Sequence, residues 1–524
     1  MDTCLDVIVV GAGLSGLSAA YKLKKVDSSC KIIILEAKFR VGGRTLSHRL
    51  RCANHRTDLW DLGGQWVSST QPHITALIKD LNIETYPQFL EGNKLLQLQK
   101  NKITSYNSWI PDISFWAAIE LFRFIQKLET LAQEINVKNP YLHPRAEELD
   151  GMTFESYKNK HLRCYESRQL IDIAFRTTFG FDPCNMSCLY VLMYGNAAGG
   201  ILRLFEGTEG AAQQLRVKGG TQQISFKLMD KLGAENVLLN HAVTEIIQRE
   251  ESNLVIVNTT NGKTFHATKL ILAIPVHEAL RIKFCPLLPE PKRLLFQNMP
   301  VGHLTKFICT YETTFWRAKN LSGEIVTNGG APIVAGCDTG PLGIVYDGTT
   351  HNGNPALVGF ISGHVGVQWS LKTPMERKAA VLQCLAIFFG NDALEPIDYA
   401  EKVWSEEPYN GGCPVNVMVP GVMKYVPKDF RKPYGKIHFA GTETSTSWCG
   451  YMNGAVQAGF RAAKEVLHDQ VPGSIDEKEL ADTAYAKPNF DDDEDNLVDN
   501  TTSRLLAFAQ LALGIAIITS VGIF

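Results

Sequence analysis

Three glycines near the N-terminus are the first residues whose type and spacing indicate a binding site. Gly11, Gly13 and Gly16 form a GxGxxG pattern between the apolar run LDVIVV (5–10) and the helical stretch GLSAAYKLKK (16–25). Glycine at these positions allows a tight turn, close approach of the backbone to a pyrophosphate, and packing of the helix on the strand. The helix N-terminus adds unpaired N–H groups and a partial positive charge for the phosphates. The pattern therefore predicts a dinucleotide site.

An acid follows at a suitable distance. Glu36 ends the next apolar strand, KIIILE (31–36), twenty residues after Gly16. Strand, helix and strand together span about 30 residues, as a βαβ unit does. An acid here accepts hydrogen bonds from ribose hydroxyls, so we expect NAD or FAD rather than NADP.

A cysteine with unusual neighbours lies far downstream, in EEPYNGGCPVNV (406–417). Cys413 follows two glycines and precedes a proline, whereas a core cysteine normally lies among apolar residues of a strand or helix. Packing gives no reason for a thiol at a turn with so little steric cover. Either this is an ordinary turn that holds a cysteine, or the backbone must come close to something bulky there.

Two glycine pairs, VGGRT (41–45) and DLGGQWV (61–67), follow Glu36. They would let the backbone lie against a pyrophosphate and a flat flavin ring, with Arg44 supplying positive charge. Together with GxGxxG, this order resembles the flavin-dependent amine oxidase superfamily, in which VGGR follows the ribose acid. The resemblance covers about residues 5–470. It implies FAD, and the cofactor contacts that it implies in these segments are Gly43, Arg44, Gly64, Gln65 and Trp66. Further along the chain it implies Val243 as another cofactor contact.

The segment HFAGTETSTSWCGYMNGAVQAGFRAAKEVL (438–467) carries the same resemblance. It implies that Gly441, Thr442 and Glu443 lie along the ribityl chain and the pyrophosphate. Tyr451 and Met452 would begin a helix whose positive end points at the pyrimidine edge of the flavin, where negative charge accumulates on reduction.

Within the superfamily, the chain is most similar to the monoamine oxidases. Their Gly-Gly-Cys turn bonds covalently to a methyl group on the benzene ring of the flavin, which implies a thioether between FAD and Cys413 here. The two glycines would clear space for the sulfur to reach the ring. Polyamine oxidases and histone demethylases of the superfamily hold FAD without this cysteine.

Amine oxidation requires the neutral amine, so an apolar, aromatic cage is expected. By resemblance, Tyr451 is one wall of the cage, while Pro414 replaces the tyrosine that normally forms the other wall. Lys306, in VGHLTKFICTY, matches the lysine that holds a water near flavin N5 and is linked to reaction with O₂. The remaining residues implied are Trp404 near that lysine, and Gln213, Phe360 and Trp66 in the amine pocket, where Trp66 replaces the usual tyrosine.

The expected reaction is oxidative deamination of a primary or secondary amine by FAD, with water converting the imine to an aldehyde and O₂ giving H₂O₂. Pro414 leaves open a flavin-binding protein without turnover that serves as a membrane-tethered partner. An oxidase of polyamines would need carboxylates in the pocket. An oxidase of amino acids would need an arginine, for which Arg203 is the candidate.

Composition and cysteine spacing exclude other classes. The net charge of −2 gives no basic excess, so no nucleic-acid partner is expected. The twelve cysteines are scattered without a CxxC pair, which predicts neither a disulfide framework nor a metal site. No signal or transit peptide precedes the first strand. A small amine and O₂ are the expected partners, and the sequence leaves a homodimer open.

The C-terminal twenty residues, LLAFAQLALGIAIITSVGIF (505–524), carry no charged side chain. A helix of about this length crosses the hydrocarbon core of a bilayer. We predict a single-pass membrane anchor, 505–524, after an acidic linker, 471–504. The resemblance implies the mitochondrial outer membrane, with the catalytic part in the cytosol. Because Arg504 is the single basic residue beside the apolar run, the endoplasmic reticulum is an alternative.

The periodicity of the chain predicts strands at 236–240, 254–258, 269–274, 304–310 and 356–361, and helices at 113–135, 154–176, 374–389 and 451–469. Alternating strands and helices predict an α/β fold, and the helix-rich middle predicts a second domain. We therefore predict a Rossmann-like FAD-binding domain with an inserted α+β substrate domain. Their segments are 1–85, 218–295 and 400–470 for the first, and 86–217 and 296–399 for the second.

Overall fold

The N-terminal strand and helix form where the glycine pattern predicts them. The computed structural model describes residues 4–100, 102–107, 111–249, 251, 253–426, 430–471 and 473–485. An apolar strand ends at Val10, and a helix begins at Leu14. Gly11, in the turn between them, has a φ of +101°, a backbone conformation that side chains with a Cβ rarely adopt.

Within the described residues the chain forms twenty strands and fifteen α-helices. The strands are β1 (Leu5–Val10), β2 (Ile32–Leu35), β3 (Ser47–Cys52), β4 (Arg56–Asp61), β5 (Trp66–Val67), β6 (Thr85–Pro87), β7 (Asn93–Gln99), β8 (Lys102–Tyr106), β9 (Leu215–Val217), β10 (Val237–Leu238), β11 (Val243–Arg249), β12 (Leu254–Thr259), β13 (Thr264–Leu272), β14 (Lys283–Cys285), β15 (Leu304–Thr310), β16 (Leu321–Thr327), β17 (Ile344–Asp347), β18 (Ala356–Ser362), β19 (Asp398–Val403) and β20 (Ile437–Phe439). The helices are α1 (Leu14–Val26), α2 (Pro72–Asp80), α3 (Phe115–Gln133), α4 (Ala146–Asp150), α5 (Phe154–His161), α6 (Tyr165–Phe179), α7 (Cys188–Ala197), α8 (Gln222–Leu232), α9 (Val276–Ala279), α10 (Glu290–Gln297), α11 (Phe315–Ala318), α12 (Gly363–Ser370), α13 (Pro374–Phe389), α14 (Met452–Gln470) and α15 (Glu477–Leu480).

The first sheet contains β1 at its centre. Its strand order is β10-β2-β1-β13-β12-β11-β14, and β20 also pairs with β13. β1 runs parallel to both β2 and β13, while β11, β12 and β13 are antiparallel neighbours. Residues 7–10 of β1 are buried, as expected for a strand inside a parallel sheet that is covered on both faces.

Two glycines let α1 approach its neighbours. A Cβ on Gly16 would lie 2.0 Å from the carbonyl oxygen of Gly11, and a Cβ on Gly459 of α14 would lie 2.2 Å from the carbonyl oxygen of Ser15. Any side chain at either position would push the helix away. The third glycine of the GxGxxG pattern therefore serves packing of the helix, as the pattern predicts.

The second sheet has the order β19-β15-β18-β17-β16-β7-β8. β15 and β18 are buried along their whole length and pair in antiparallel register, with Lys306 opposite Phe360. Tyr346 of β17 lies opposite Val358 of β18. Because residues two apart on a strand share a face, Tyr346, Phe360 and Lys306 all lie on the same side of the sheet.

One predicted helix, 154–176, is divided into α5 and α6. Leu162 ends the first part in an extended conformation. The N–H groups of Arg163 and Cys164 donate to the carboxylate of Glu120 at 2.7 and 2.8 Å, instead of to helical carbonyls. The prediction of one continuous helix was wrong because a side chain from α3 binds these two N–H groups.

In the two large sheets the strands follow the predicted segments with one exception, whereas the small sheet β5-β9-β6 joins strands from both sets of segments. The first sheet draws its strands from the segments predicted for FAD, and the second draws on those predicted for the substrate, although β19 crosses the boundary at residue 400. Both sheets belong to one compact unit, Met1–Ala484. The fold is α/β with mixed sheets, and the division into two domains stays a prediction.

The predicted linker, 471–504, starts too early. Glu479 of α15 pairs with Lys22 at 2.8 Å, and Asp482 pairs with Lys464 at 3.1 Å, so the segment that contains α15 packs on α1 and α14. The rest of the predicted linker and the predicted anchor, 505–524, lie outside the described residues. In the part of the chain that the structure describes, none of the helices combines the length and the apolar character that a membrane span requires.

Candidate active site

A cavity of about 480 Å³ extends from the glycine turn after β1 to the second sheet. We call the part lined by Glu36, Lys38 and Val243 the dinucleotide end, and the part lined by Trp66, Tyr346 and Phe360 the amine end. The predicted site residues that line the cavity are Gly11, Gly13, Glu36, Gly43, Arg44, Gly64, Gln65, Trp66, Gln213, Val243, Phe360, Trp404, Cys413, Gly441, Thr442, Tyr451 and Met452. The other three, Gly16, Lys306 and Glu443, support residues of this lining.

Glu36 is fixed at the dinucleotide end by backbone donors. Its Oε2 accepts from the N–H of Ala12 at 2.7 Å, and its Oε1 accepts from the N–H of Lys38 at 2.9 Å. Burial raises the pKa of Glu36, although both N–H groups oppose the shift. The carboxylate therefore joins the loop after β1 to the end of β2 and keeps its remaining lone pairs for a ligand.

Two facing glycines form a cradle in the cavity wall. Among the described residues other than its chain neighbours, a Cβ on Gly13 would have only the Cα of Gly43 within 4 Å, at 3.9 Å, and a Cβ on Gly43 would have only the Cα of Gly13, at 3.4 Å. Side chains at these positions would meet almost no protein and would enter the cavity instead. This shape fits a group that must touch the backbone closely, as a pyrophosphate does.

Arg44 is held between two segments that are distant in the sequence. Its Nη1 donates to Glu443 Oε1 at 3.0 Å and to the carbonyl of Pro414 at 2.8 Å. Glu443 does not line the cavity, in contrast to its neighbours Gly441 and Thr442. Its Oε1 orients Arg44, and its place along the cofactor stays a prediction.

Cys413 lies in the cavity wall but is well covered. It is only 7% exposed and packs with Leu304, Phe360 and Trp404. Burial raises the pKa of the Cys413 thiol to about 12, although Arg44 and Lys306 oppose the shift. The expectation of a thiol with little steric cover was wrong, and Cys413 is distinguished by its position rather than by acidity.

The two glycines before Cys413 lie against other parts of the protein, so a side chain at either position would meet protein atoms rather than open space. A Cβ on Gly412 would lie 2.5 Å from the carbonyl oxygen of Gly302 and 2.7 Å from Val301. The N–H of Cys413 donates to that same carbonyl at 3.0 Å. Gly412 therefore lets the turn dock on residues 301–302, and this docking helps to place the sulfur.

Lys306 lies under the segment that joins β4 to β5. Its Nζ donates to the carbonyl of Gly63 at 3.0 Å and to Gln65 Oε1 at 2.7 Å. It also lies 5.3 Å from the ring centre of Trp66. Burial lowers the pKa of Lys306 to about 7, although the carboxylate of Asp61 opposes the shift. The ammonium and the free amine are therefore close in energy at neutral pH.

Aromatic rings form the wall of the amine end. Trp66 packs edge-to-face on Tyr346 at 5.2 Å and lies 6.1 Å from Phe360. Tyr451 packs at 6.2 Å from Tyr194, another residue of the cavity lining. Sequence analysis missed Tyr194 and Tyr346. Only the register of β17 with β18 brings Tyr346 to this face, and α7 has no polar stripe that would single out Tyr194.

Polar groups in the cavity are few. Gln213 donates through Nε2 to the carbonyl of Leu204 at 3.1 Å, while its Oε1 is buried without a partner among the described residues. The carboxylates in the described lining are Glu36, at the dinucleotide end, and Glu278, whose Oε1 lies 3.3 Å from where a Cβ on Gly411 would be. Arg203 does not line the cavity. Among the described residues, no cluster of His, Cys, Asp or Glu has the geometry of a metal site.

Comparison with known proteins identifies the family. The family model for flavin containing amine oxidoreductases matches residues 14–467. The chain belongs to the flavin-containing amine oxidoreductase family. It is thus an oxidoreductase that acts on amines with a flavin cofactor, and the glycine cradle, Glu36 and Arg44 suit FAD.

Relatives of this amine oxidoreductase match over most of its length. It is 37% identical to a probable flavin-containing monoamine oxidase A of Dictyostelium discoideum, over 89% of this chain and 98% of that protein. It is 35% identical to the flavin-containing amine oxidase B of Bos taurus, over 92% of this chain and 89% of that protein. These matches confirm the predicted similarity to monoamine oxidases.

Solved structures agree with this assignment. A putrescine oxidase bound to putrescine superposes with a TM-score of 0.80 and 28% identity, over 88% of this chain and 99% of that one. A cyclohexylamine oxidase from Brevibacterium oxydans superposes with a TM-score of 0.81 and 29% identity, over 90% of this chain and 99% of that one.

Proposed function

We propose that the protein is a monoamine oxidase that converts primary and secondary amines to aldehydes, reduces O₂ to H₂O₂, and holds FAD through a thioether to Cys413. The observation that carries this proposal is the meeting of the Cys413 turn, the aromatic wall and the glycine cradle on a single cavity. The sequence relatives named as monoamine oxidases support it.

FAD, when bound, would accept two electrons and the α-hydrogen of the amine. The residues of the amine end prepare that amine. Trp66, Tyr346 and Phe360 exclude water, and a wall with few charges favours the neutral amine over the ammonium ion. Tyr451 supports the substrate through its ring, while Pro414 offers an apolar surface without π electrons.

Cys413 Sγ would supply the sulfur of the thioether and bond to the methyl carbon on the benzene ring of the flavin. The thiol would give up its proton and the methyl group one hydrogen, and O₂ would be the final acceptor of the two electrons, giving H₂O₂. Because the pKa of Cys413 is high, the turn must contribute mainly by placing the sulfur, with the Arg44 charge favouring the thiolate.

Lys306 acts on the O₂ side of the reaction. With a pKa of about 7, its Nζ can give or take a proton at neutral pH. Its bonds to Gly63 and Gln65 keep this nitrogen against the segment that lines the amine end. When protonated, it would stabilise negative charge that develops as O₂ is reduced.

The catalytic proposal is tested by mixing the purified, FAD-loaded protein with amines in the absence of O₂. The panel holds aromatic and aliphatic primary and secondary amines, together with putrescine. We expect monoamines to abolish the visible flavin absorbance, and readmitted O₂ to give one H₂O₂ per amine. Putrescine should react less well, because aromatic rings rather than carboxylates form the described wall of the amine end. If no amine changes the absorbance, the protein binds flavin without turnover.

We also propose that residues 505–524 anchor the protein in the mitochondrial outer membrane, with the catalytic part in the cytosol. Twenty residues without a charge and the similarity to monoamine oxidases support this location. A reporter fused to the last thirty residues tests it. Reporter signal at mitochondria is the expected result, whereas signal at the endoplasmic reticulum or in the cytosol contradicts the proposal.

A further inference from the structure

Glu407 binds three cationic side chains close to the Cys413 turn. Lys38 Nζ and Arg40 Nη2 donate to its Oε1 at 2.8 and 2.7 Å, and Lys402 Nζ contacts its Oε2. The side chains of Lys38, Arg40 and Glu407 are at most 11% exposed. Removing the carboxylate would leave these buried cations without their counter-ion.

The same residue also fixes the start of the turn through its main chain. The carbonyl of Glu407 accepts from the N–H groups of Asn410 and Gly411 at 3.2 and 3.1 Å. Lys38 Nζ also donates to Asn410 Oδ1. The Cys413 turn is thus tied by Glu407 and Lys38 to the segment that follows β2.

That segment is the one that forms the cofactor cradle. Glu36, Lys38, Gly43 and Arg44 all line the cavity, and Arg44 donates to the carbonyl of Pro414, beside the cysteine. The cradle and the sulfur lie on chain segments more than 360 residues apart in sequence, since Lys38 and Glu407 are separated by 369 positions. Docking of the turn on residues 301–302 places the sulfur against the second sheet, and the bonds of Glu407, Lys38 and Arg44 set its position relative to the cradle.

We infer that Glu407 is a positioning residue, which sets Cys413 Sγ at bonding distance from the cofactor held in the cradle and so determines whether the thioether forms rather than whether FAD binds. This inference rests on the proposed thioether. Bond formation is sensitive to placement, because a misplacement of about 1 Å can cost on the order of 10²-fold in rate. FAD binding depends on the cradle, which Glu407 does not line.

The test compares full-length wild type with Glu407→Gln, which keeps the size of the side chain and removes its charge. Total FAD per chain is measured by absorbance after gel filtration, and covalent FAD by the yellow colour that stays with acid-precipitated protein. We expect Glu407→Gln to keep most of its FAD while the covalent fraction falls at least about tenfold.

Glu401→Gln is the matched control. Glu401 is a similarly buried carboxylate on β19 that pairs with Arg377 at 2.6 Å and makes no bond to the turn. We expect its covalent fraction to equal that of wild type. A general effect of losing a buried ion pair would lower both variants alike.

The outcomes separate the inference from the proposal on which it rests. If wild type itself releases all of its FAD in acid, the thioether proposal is wrong. If wild type is covalent and Glu407→Gln is equally covalent, or if Glu407→Gln loses FAD altogether, the inference is wrong. Lys38→Met, which leaves Glu407 paired with Arg40 and Lys402, decides the matter if Glu407→Gln does not fold. Its covalent fraction should fall severalfold, and an unchanged fraction overturns the inference.

Discussion

The two ends of the cavity are built in different ways. The dinucleotide end comes from short motifs in which spacing along the chain sets the geometry, such as Gly11 to Gly16 and the Gly42–Arg44 turn. The amine end is assembled from β5, β15, β17 and β18, so strand register decides which side chains meet there. A change at the first end should affect cofactor content, and a change at the second should affect chemistry and substrate choice.

The largest expected effect separates chemistry from cofactor binding. Lys306→Met should leave FAD content unchanged and slow reoxidation of the reduced enzyme by O₂ by about 10²-fold, as loss of one preorganised charge does. Stopped-flow mixing of the reduced enzyme with O₂ measures this rate. The control is Lys269→Met, because Lys269 lies on β13 of the first sheet and pairs with Asp469. Its reduced form should react with O₂ at the wild-type rate. Normal reoxidation in Lys306→Met would remove this lysine from the O₂ step.

A change in the glycine cradle should lower FAD content, in contrast to the change at Lys306, which should leave FAD content unchanged. Gly13→Leu would place a side chain in the cavity where a Cβ meets almost no protein. We expect FAD affinity to fall by about 10- to 100-fold, the cost of overpacking a close contact. FAD content after gel filtration measures the loss. Gly262→Asn, at a turn where a Cβ meets nothing within 4 Å, should keep full FAD content. Full FAD content in Gly13→Leu would show that the cradle does not hold the cofactor.

Substrate preference should respond at the amine end alone. Tyr346→Ala removes a ring that packs on Trp66 at 5.2 Å, so KM for aromatic amines should rise by about tenfold with FAD content unchanged. Tyr346→Phe keeps the ring and should change KM by less than about twofold. Equal KM values for Tyr346→Ala and wild type would place the amine elsewhere in the cavity.

The smallest effect concerns Glu407 and the three cationic side chains that bind it, Lys38, Arg40 and Lys402. These cations lower the pKa of Glu407 to about 2, below the roughly 4.3 of a free glutamate, although burial opposes the shift. The contribution of the ionised Glu407 carboxylate to the free energy of unfolding is therefore complete above about pH 4.3. It is lost as the pH falls toward about 2. The difference in melting temperature between wild type and Glu407→Gln should be largest near neutral pH and narrow below about pH 4. A difference that does not vary with pH would mean that Glu407 is not an ionised partner.

The contrast between local motifs and contacts across the fold also explains which features the sequence could predict. Glu36, the glycine pattern and the strand–helix–strand start are local, and the structure has them where the spacing places them. The covering of Cys413 could not be predicted from its neighbours in sequence, because much of it comes from Leu304 and Phe360 on two distant strands. The pairing of Glu443 with Arg44 could not be predicted for a similar reason, since the two residues are 399 positions apart.

The helical middle shows the same limit at the level of secondary structure. The periodic pattern over 154–176 is helical throughout, but Glu120 of another helix binds the N–H groups of Arg163 and Cys164 and interrupts it. The pattern over 374–389 needs no distant partner, and α13 matches it to the residue, with Thr373 and Glu376 capping its start. A helix or strand can be predicted from the sequence where its hydrogen bonds involve residues that are close to it in the sequence.

The proposed covalent attachment is tested most directly by the mass of one peptide. Trypsin should release residues 403–424, which contain Cys413 as their single cysteine. We predict that this peptide from the native holoenzyme carries the added mass of the flavin on Cys413. Recovery of the unmodified peptide from protein that contains its full share of FAD would contradict the thioether.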